Sequence, residues 1–262
     1  MVTITKFIYG VTSLPGHMVQ TLKQIPTGIE GLDGALNGGV PQGNVVLFTG
    51  SCGTGKTTVA MEYLIKGAKM GENGVFISVT EPTFKLLENM RRYEFFDEVL
   101  IDDNKIFLID LLHIYRKMGL LDRERQITDI DALVLAFEDI VKALDIKRAV
   151  VDSITAVCNR LKEQSRIRDF IFNLVNIFTY NGATSIFISE ISAGTSDYSV
   201  YGVEEAVADG IIVFDDLERR GDMMRTMQII KMRGTQHSRA KYVMDLQSDG
   251  MVLAPLLKGG SD

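Results

Sequence analysis

The chain reads as one α/β domain built on a mainly parallel, twisted sheet with helices on both faces and β-hairpins at its C-terminal end. Three observations carry that expectation. A glycine-rich turn, Gly50-Ser51-Cys52-Gly53-Thr54-Gly55-Lys56-Thr57, joins a short apolar run to an amphipathic stretch. Strand-like and helix-like segments then alternate to about residue 190, the pattern of βα units. After residue 210 the apolar runs are separated by short turn signals, as in hairpins. With 262 residues and 46% hydrophobic content, the chain is long enough for a sizeable core.

In chain order, residues 1–24 fit no periodic element and read as an N-terminal extension. Residues 25–257 form the domain, and 258–262 a disordered tail. Residues 26–43 combine turn residues with apolar anchors such as Leu32 and Leu36. Residues 44–49 are a buried strand through Val45, Val46, Leu47 and Phe48. Residues 57–70 are a helix whose face is Val59, Ala60, Tyr63, Leu64 and Ala68.

Between them lies the phosphate-loop pattern, a glycine, four free positions and Gly-Lys-Thr. Its glycines allow backbone N–H groups to converge on phosphate oxygens, at a helix N-terminus that favours anions. Lys56 would reach the β- and γ-phosphates and the Thr57 hydroxyl would sit on Mg²⁺, with Thr58 completing the nucleotide-binding run.

The second strand, 74–79, ends in Thr80-Glu81-Pro82. Glu81 either orients a water for attack on the γ-phosphate or favours the N-terminus of the helix at 83–93. Residues 105–111 are a third strand. Residues 112–126 are charged and irregular. Residues 129–144 are a helix with Ile130, Leu133, Leu135, Ile140, Val141 and Leu144 as its apolar positions. The run Arg148-Ala149-Val150-Val151-Asp152-Ser153 is a short strand ending in an acid. With the phosphate loop upstream, Asp152 reads as the carboxylate that holds Mg²⁺; alone it would read as a helix cap. Residues 166–180 are a helix and 183–189 a strand closing in Ser189-Glu190. That pair either faces the phosphates or opens the loop at 192–202, with the loop favoured. A short helix at 204–209 and strands at 210–215, 224–232, 241–245 and 251–253 complete the chain.

The charge balance, −6, argues against a surface built for nucleic acid, and residues 190–201 contain no Lys or Arg for phosphate contact. No apolar run reaches membrane-spanning length, and Lys6 and His17 interrupt any leader-like segment, so a cytoplasmic protein without membrane insertion is expected. Cys52 and Cys158 lack metal-ligand spacing. Cys158 reads as a buried small residue, and Cys52 as a tolerated side chain in the loop or, alternatively, a redox-sensitive one.

Four segments together resemble the KaiC-like branch of the RecA/RadA ATPases, from Ile25 to about Leu253. They are the entry segment Pro26 to Asp33 with Gly38-Gly39-Val40-Pro41-Gln42-Gly43, the phosphate loop, the strand ending at Asp152, and Lys231-Met232-Arg233-Gly234-Thr235-Gln236-His237. The resemblance implies a RecA-like P-loop NTPase core, with ATP and Mg²⁺ as ligands. It also implies a homo-oligomeric ring, commonly a hexamer, in which Lys231, Arg233 and His237 reach the nucleotide held by a neighbour's Lys56 and Asp152. The catalytic set it implies is Lys56, Arg233 and an acid.

Two positions depart from the family pattern. Hydrolysing members carry a glutamate pair where this chain has Thr80-Glu81, so the usual base is absent and Glu81 is its candidate substitute. Glu205-Ala206 stands where the self-phosphorylating KaiC domain has Ser-Thr, so autokinase activity is not expected. Three functions follow: a slow, ring-forming ATPase with a regulatory role; a non-hydrolysing ATP sensor within a larger, archaellum-type machine; and a RadA-like DNA repair accessory. The sequence names no protein partner.

Overall fold

The computed structural model describes residues 23–119, 129–161 and 163–256. The expected extension before residue 23, the tail from 258 and residues 120–126 of the segment at 112–126 lie outside these residues. A two-stranded ribbon, β1 (Gln24–Ile25) antiparallel to β2 (Val40–Pro41), encloses α1 (Leu32–Ala35). The Asp33 carboxylate ties this entry segment together by accepting from the Thr27 N–H (2.6 Å), the Thr27 hydroxyl (2.7 Å) and the Gly28 N–H (3.0 Å).

The main body follows as β3 (Val45–Gly50), α2 (Lys56–Lys69), β4 (Gly74–Ser78), α3 (Thr83–Met90), α4 (Val99–Asp102), β5 (Ile106–Asp110), α5 (Leu111–Met118) and α6 (Ile130–Ala143). Next come β6 (Arg148–Asp152), α7 (Ile154–Cys158), α8 (Gln164–Tyr180), β7 (Thr184–Glu190) and α9 (Glu204–Val207). The chain closes with β8 (Gly210–Arg219), β9 (Asp222–Met232), β10 (Lys241–Leu246) and β11 (Met251–Pro255).

One nine-stranded sheet runs β11-β10-β9-β8-β3-β7-β6-β4-β5. From β8 to β5 all neighbours are parallel, and β9, β10 and β11 add antiparallel hairpins. Because side chains alternate along a strand, β3 serves two cores. Val45 and Leu47 pack in one with Leu133 and Phe137 of α6 and Phe170 and Leu174 of α8. Val46 and Phe48 pack in the other with Val59, Tyr63 and Leu64 of α2. Helices therefore cover both faces, as the apolar periodicity predicts.

The differences from the sequence reading are local. Residues 111–118 are helical, not irregular: the Asp110 carboxylate accepts from the His113 N–H (3.1 Å) and caps α5, which buries Leu111 and Tyr115 four residues apart. Leu135, expected on the apolar face of α6, is 57% exposed, since it stands two residues, about 200°, from the buried Leu133. Helix α7 was not foreseen. Its cap is Ser153, whose hydroxyl accepts from the Ala156 N–H (3.2 Å), so Asp152 is not used as a cap. Cys158 ends that helix fully buried. Strands β8 and β9 extend further than expected, to a two-residue turn at Arg220 and Gly221, both with φ above zero.

Candidate functional site

The loop between β3 and α2 is shaped by its neighbours. Gly50 has φ 154°, and a Cβ there would lie 2.1 Å from the Phe214 carbonyl oxygen of β8, so the loop can leave the sheet here only as glycine. Thr54 is buried, its hydroxyl donating to the Ser51 carbonyl (2.9 Å), while Cys52 and Gly53 are exposed. The Lys56 side chain folds back under this loop. Its Nζ donates to the carbonyls of Gly50 (2.8 Å) and Ser51 (2.7 Å) and stands 3.4 Å from Thr54 Oγ1. Burial lowers the Lys56 pKa. Glu190, Asp152, Cys52 and Asp216 oppose that shift, in that order of strength. The ammonium is thus held by neutral oxygens at a helix N-terminus, an arrangement suited to anionic phosphates.

The metal candidates meet directly. Thr57 Oγ1 donates to Asp152 Oδ2 at 2.7 Å, across 95 residues of chain. Burial pushes the Asp152 carboxyl up to about 6; the Thr57 hydrogen bond and Lys56 counteract it, whereas Glu190 and Glu81 reinforce it. A buried carboxylate paired with a hydroxyl, with little compensating charge, suits a hard divalent cation such as Mg²⁺.

Two further carboxylates border the centre. Glu81 follows β4 and shares a cleft with Thr57, Thr58, Asn89, Arg92 and Tyr93; its Oε1 accepts from Asn89 Nδ2 (3.2 Å). Thr80 is exposed beside it. Glu190 is the last residue of β7, not the start of the following loop, and its register partner is Gly50. The Thr155 hydroxyl fixes that strand tip, accepting from the Glu190 N–H (3.2 Å) and lying 3.2 Å from Ser189 Oγ. Asn89, Arg92, Tyr93 and Thr155 carry no motif, and the sequence reading passed over them.

Lys231, Arg233 and His237 lie elsewhere. Lys231 Nζ donates to the carbonyls of Ala208 (2.6 Å) and Glu205 (3.1 Å), and Arg233 Nη1 pairs with Asp209 Oδ1 (3.3 Å). Burial, then Arg233, lowers the Lys231 pKa against the opposing charges of Asp209 and Glu205. His237 Nε2 is enclosed without a hydrogen-bond partner. Asp209 precedes β8 and binds Val45, at the start of β3. Lys56 acts at the far end of that strand, five residues or about 17 Å away. Within one chain Lys231 and Arg233 do not meet the phosphate loop.

Comparison with known proteins gives the family and the fold. A UPF0273 protein of Pyrococcus horikoshii is 32% identical over 247 residues, covering 91% of this chain and 97% of that protein. The circadian clock protein KaiC3 of Synechocystis is 30% identical over 236 residues; the match takes in 90% of this chain but 46% of that protein, so the chain spans about half of it. The crystal structure of a KaiC-like protein from Pyrococcus horikoshii superimposes with a TM-score of 0.77 at 34% identity, over 89% of this chain and all of that one. The core is therefore of RecA type. The family model for the KaiC ATPase matches residues 25–258, and with the phosphate loop, Asp152 and the sheet order all in place, this chain belongs to the KaiC family of ATPases.

Proposed function

We propose that the chain binds ATP with Mg²⁺ and hydrolyses it slowly, in a homo-oligomeric ring with a regulatory role. The observation that carries this is the Lys56 ammonium held beneath the Gly50–Thr57 loop beside the Thr57–Asp152 pair. Backbone N–H groups of the loop and Lys56 would take the phosphates. Mg²⁺ beside Thr57 and Asp152 would supply positive charge to the phosphate oxygens.

The placement of Lys231 and Arg233 about 17 Å from the loop, at the other end of β3, supports a site completed by a second copy, with His237 from the same segment. A heterologous contact repeated to closure would make a ring, and the family resemblance makes six the expected number of copies. A position in the cytoplasm remains the expectation. No helix among the described residues is long and apolar enough to cross a membrane.

The second reading, an ATP sensor without turnover, is favoured by Thr80, because a hydroxyl is not a general base at neutral pH. The DNA-handling reading has less support: the loop at 192–202 offers Asp197 and no cation.

The experiment is steady-state phosphate release and nucleotide binding by pure protein, beside Lys56→Ala. ATP binding that Lys56→Ala weakens at least tenfold, with slow Lys56-dependent turnover, is the expected result. Binding without turnover selects the sensor, equal ATP binding by both proteins removes Lys56 and its loop as the site, and absence of binding removes the nucleotide reading.

A further inference from the structure

Strand β3 carries the phosphate loop at one end and meets Asp209 at the other. Every polar group of Asp209 is in use there. Its N–H donates to the Val45 carbonyl (2.8 Å), and its carbonyl accepts from the Arg233 N–H (2.9 Å). Its Oδ2 accepts from the Val45 N–H (3.1 Å), and its Oδ1 from Arg233 Nη1 (3.3 Å). Backbone and side chain together therefore clamp the chain just after β9 to the start of β3. Asn44 adds to the clamp, its Nδ2 donating to the Arg233 carbonyl (2.9 Å).

The clamp does not use Arg233 up. Nη1 is engaged by Asp209 and Nη2 by the Ala206 carbonyl (3.4 Å), while the guanidinium fork carries further N–H donors. The side chain is 55% exposed. One edge of a planar fork is thus fixed and the rest faces outward. An arginine held in this way gives up less rotamer freedom when it meets an anion.

We propose that Asp209 is the positioning residue for Arg233, holding its guanidinium pre-formed for the nucleotide bound by a neighbouring copy. The proposal rests on the reading above, in which that cation completes a second copy's site. Asp209 bonds Val45 as well, so it ties the cation to the strand that carries the chain's own phosphate loop.

The test measures Mg²⁺-ATP binding by full-chain variants, alone and mixed. Asp209→Asn keeps an acceptor for the Val45 N–H and loses the charge paired with Arg233, so its urea midpoint should match wild type. Its ATP affinity should fall about five- to tenfold, the scale of a charge-assisted contact. Asp209→Ala should weaken binding at least as much. Adding Asp209→Asn to Arg233→Ala should cost nothing further, because the two residues act as a unit. Mixed with Lys56→Ala copies, Asp209→Asn copies should regain wild-type affinity in part, where an intact loop faces intact cations. Mixed with Arg233→Ala copies, they should regain none. The reverse pattern places the effect of Asp209 on its own phosphate loop and overturns the assignment. Binding that Asp209→Asn leaves unchanged also overturns it, as does tighter binding, which would mark a contact that holds Arg233 back. Either result, with Arg233→Ala still weakened, leaves the two-copy site standing. Arg233→Ala that binds ATP as wild type does removes the two-copy site and the proposal together.

Discussion

The Thr57 hydroxyl donates to Asp152 Oδ2 at 2.7 Å, joining the first turn of α2 to the tip of β6. That single bond does not offset burial, which pushes the Asp152 carboxyl up to about 6 from an ordinary value of 3.8. The folded chain thus holds this proton more tightly than the unfolded chain. Asp152 therefore makes the ligand-free protein less stable as pH rises from about 4 to about 6. Relative to wild type, Asp152→Asn should gain about 1–2 kcal/mol over that interval and keep the advantage above it. Urea unfolding without nucleotide or metal measures the difference; a gap independent of pH would show that Asp152 does not titrate there. At neutral pH, Mg²⁺-ATP should reverse the order, because only the carboxylate serves the cation.

Arg233 holds Asp209 and the Ala206 carbonyl from its own chain, with its side chain about half exposed. An exposed ion pair of this kind contributes little to the stability of the fold. Arg233→Ala should accordingly unfold within about 1 kcal/mol of wild type yet lose ATP-dependent assembly. Light scattering with and without Mg²⁺-ATP checks it, and assembly unchanged by the substitution would remove the contact between copies.

Gly67 and Arg148 pose a conflict between two effects. Alanine in a helix interior is favoured over glycine by about 0.5–1 kcal/mol. A Cβ on Gly67, however, would lie 2.2 Å from Arg148 Nε. Arg148 is fully buried. Its guanidinium binds Glu72 Oε2 (2.6 Å) and the carbonyls of Pro26 (2.8 Å) and Tyr63 (2.9 Å), and sits 4.5 Å from the Tyr63 ring centroid. Displacing a buried, paired charge costs about 3–5 kcal/mol, so the clash wins. Gly67→Ala should destabilise by about 2–4 kcal/mol in chemical denaturation, against the helix-propensity expectation.

These relationships also mark how far the sequence could be read. The β3–loop–α2 unit was legible because glycine spacing and apolar period are local; Val59, Ala60, Tyr63, Leu64 and Ala68 are all buried as expected. Asp152 was legible only beside that loop. Helix α7 was not, since five residues are too few for a periodic signal and its cap, Ser153, is an ordinary serine. The adjacency of Glu190 and Gly50 depends on strand order across about 140 residues, which no local pattern encodes. The position of Lys231 and Arg233 at the opposite end of β3 follows from the β8–β9 register, equally long-range.

Cys52 offers a direct report on where nucleotide binds. It is exposed in the phosphate loop, whereas Cys158 is buried and its thiol is pushed well above the ordinary range by burial. A thiol reacts as the thiolate and only where reagent reaches it, so iodoacetamide at neutral pH should label Cys52 and spare Cys158 in the folded chain. Phosphates seated on the loop would cover Cys52. Saturating Mg²⁺-ATP should slow its labelling by about tenfold or more, following the occupied fraction of sites. Lys56→Ala should abolish that protection at the same nucleotide concentration. Mass spectrometry of the two cysteine peptides gives both rates in one digest. Equal labelling of Cys52 with and without ATP, in protein shown by dialysis to hold the nucleotide, would place the nucleotide away from this loop.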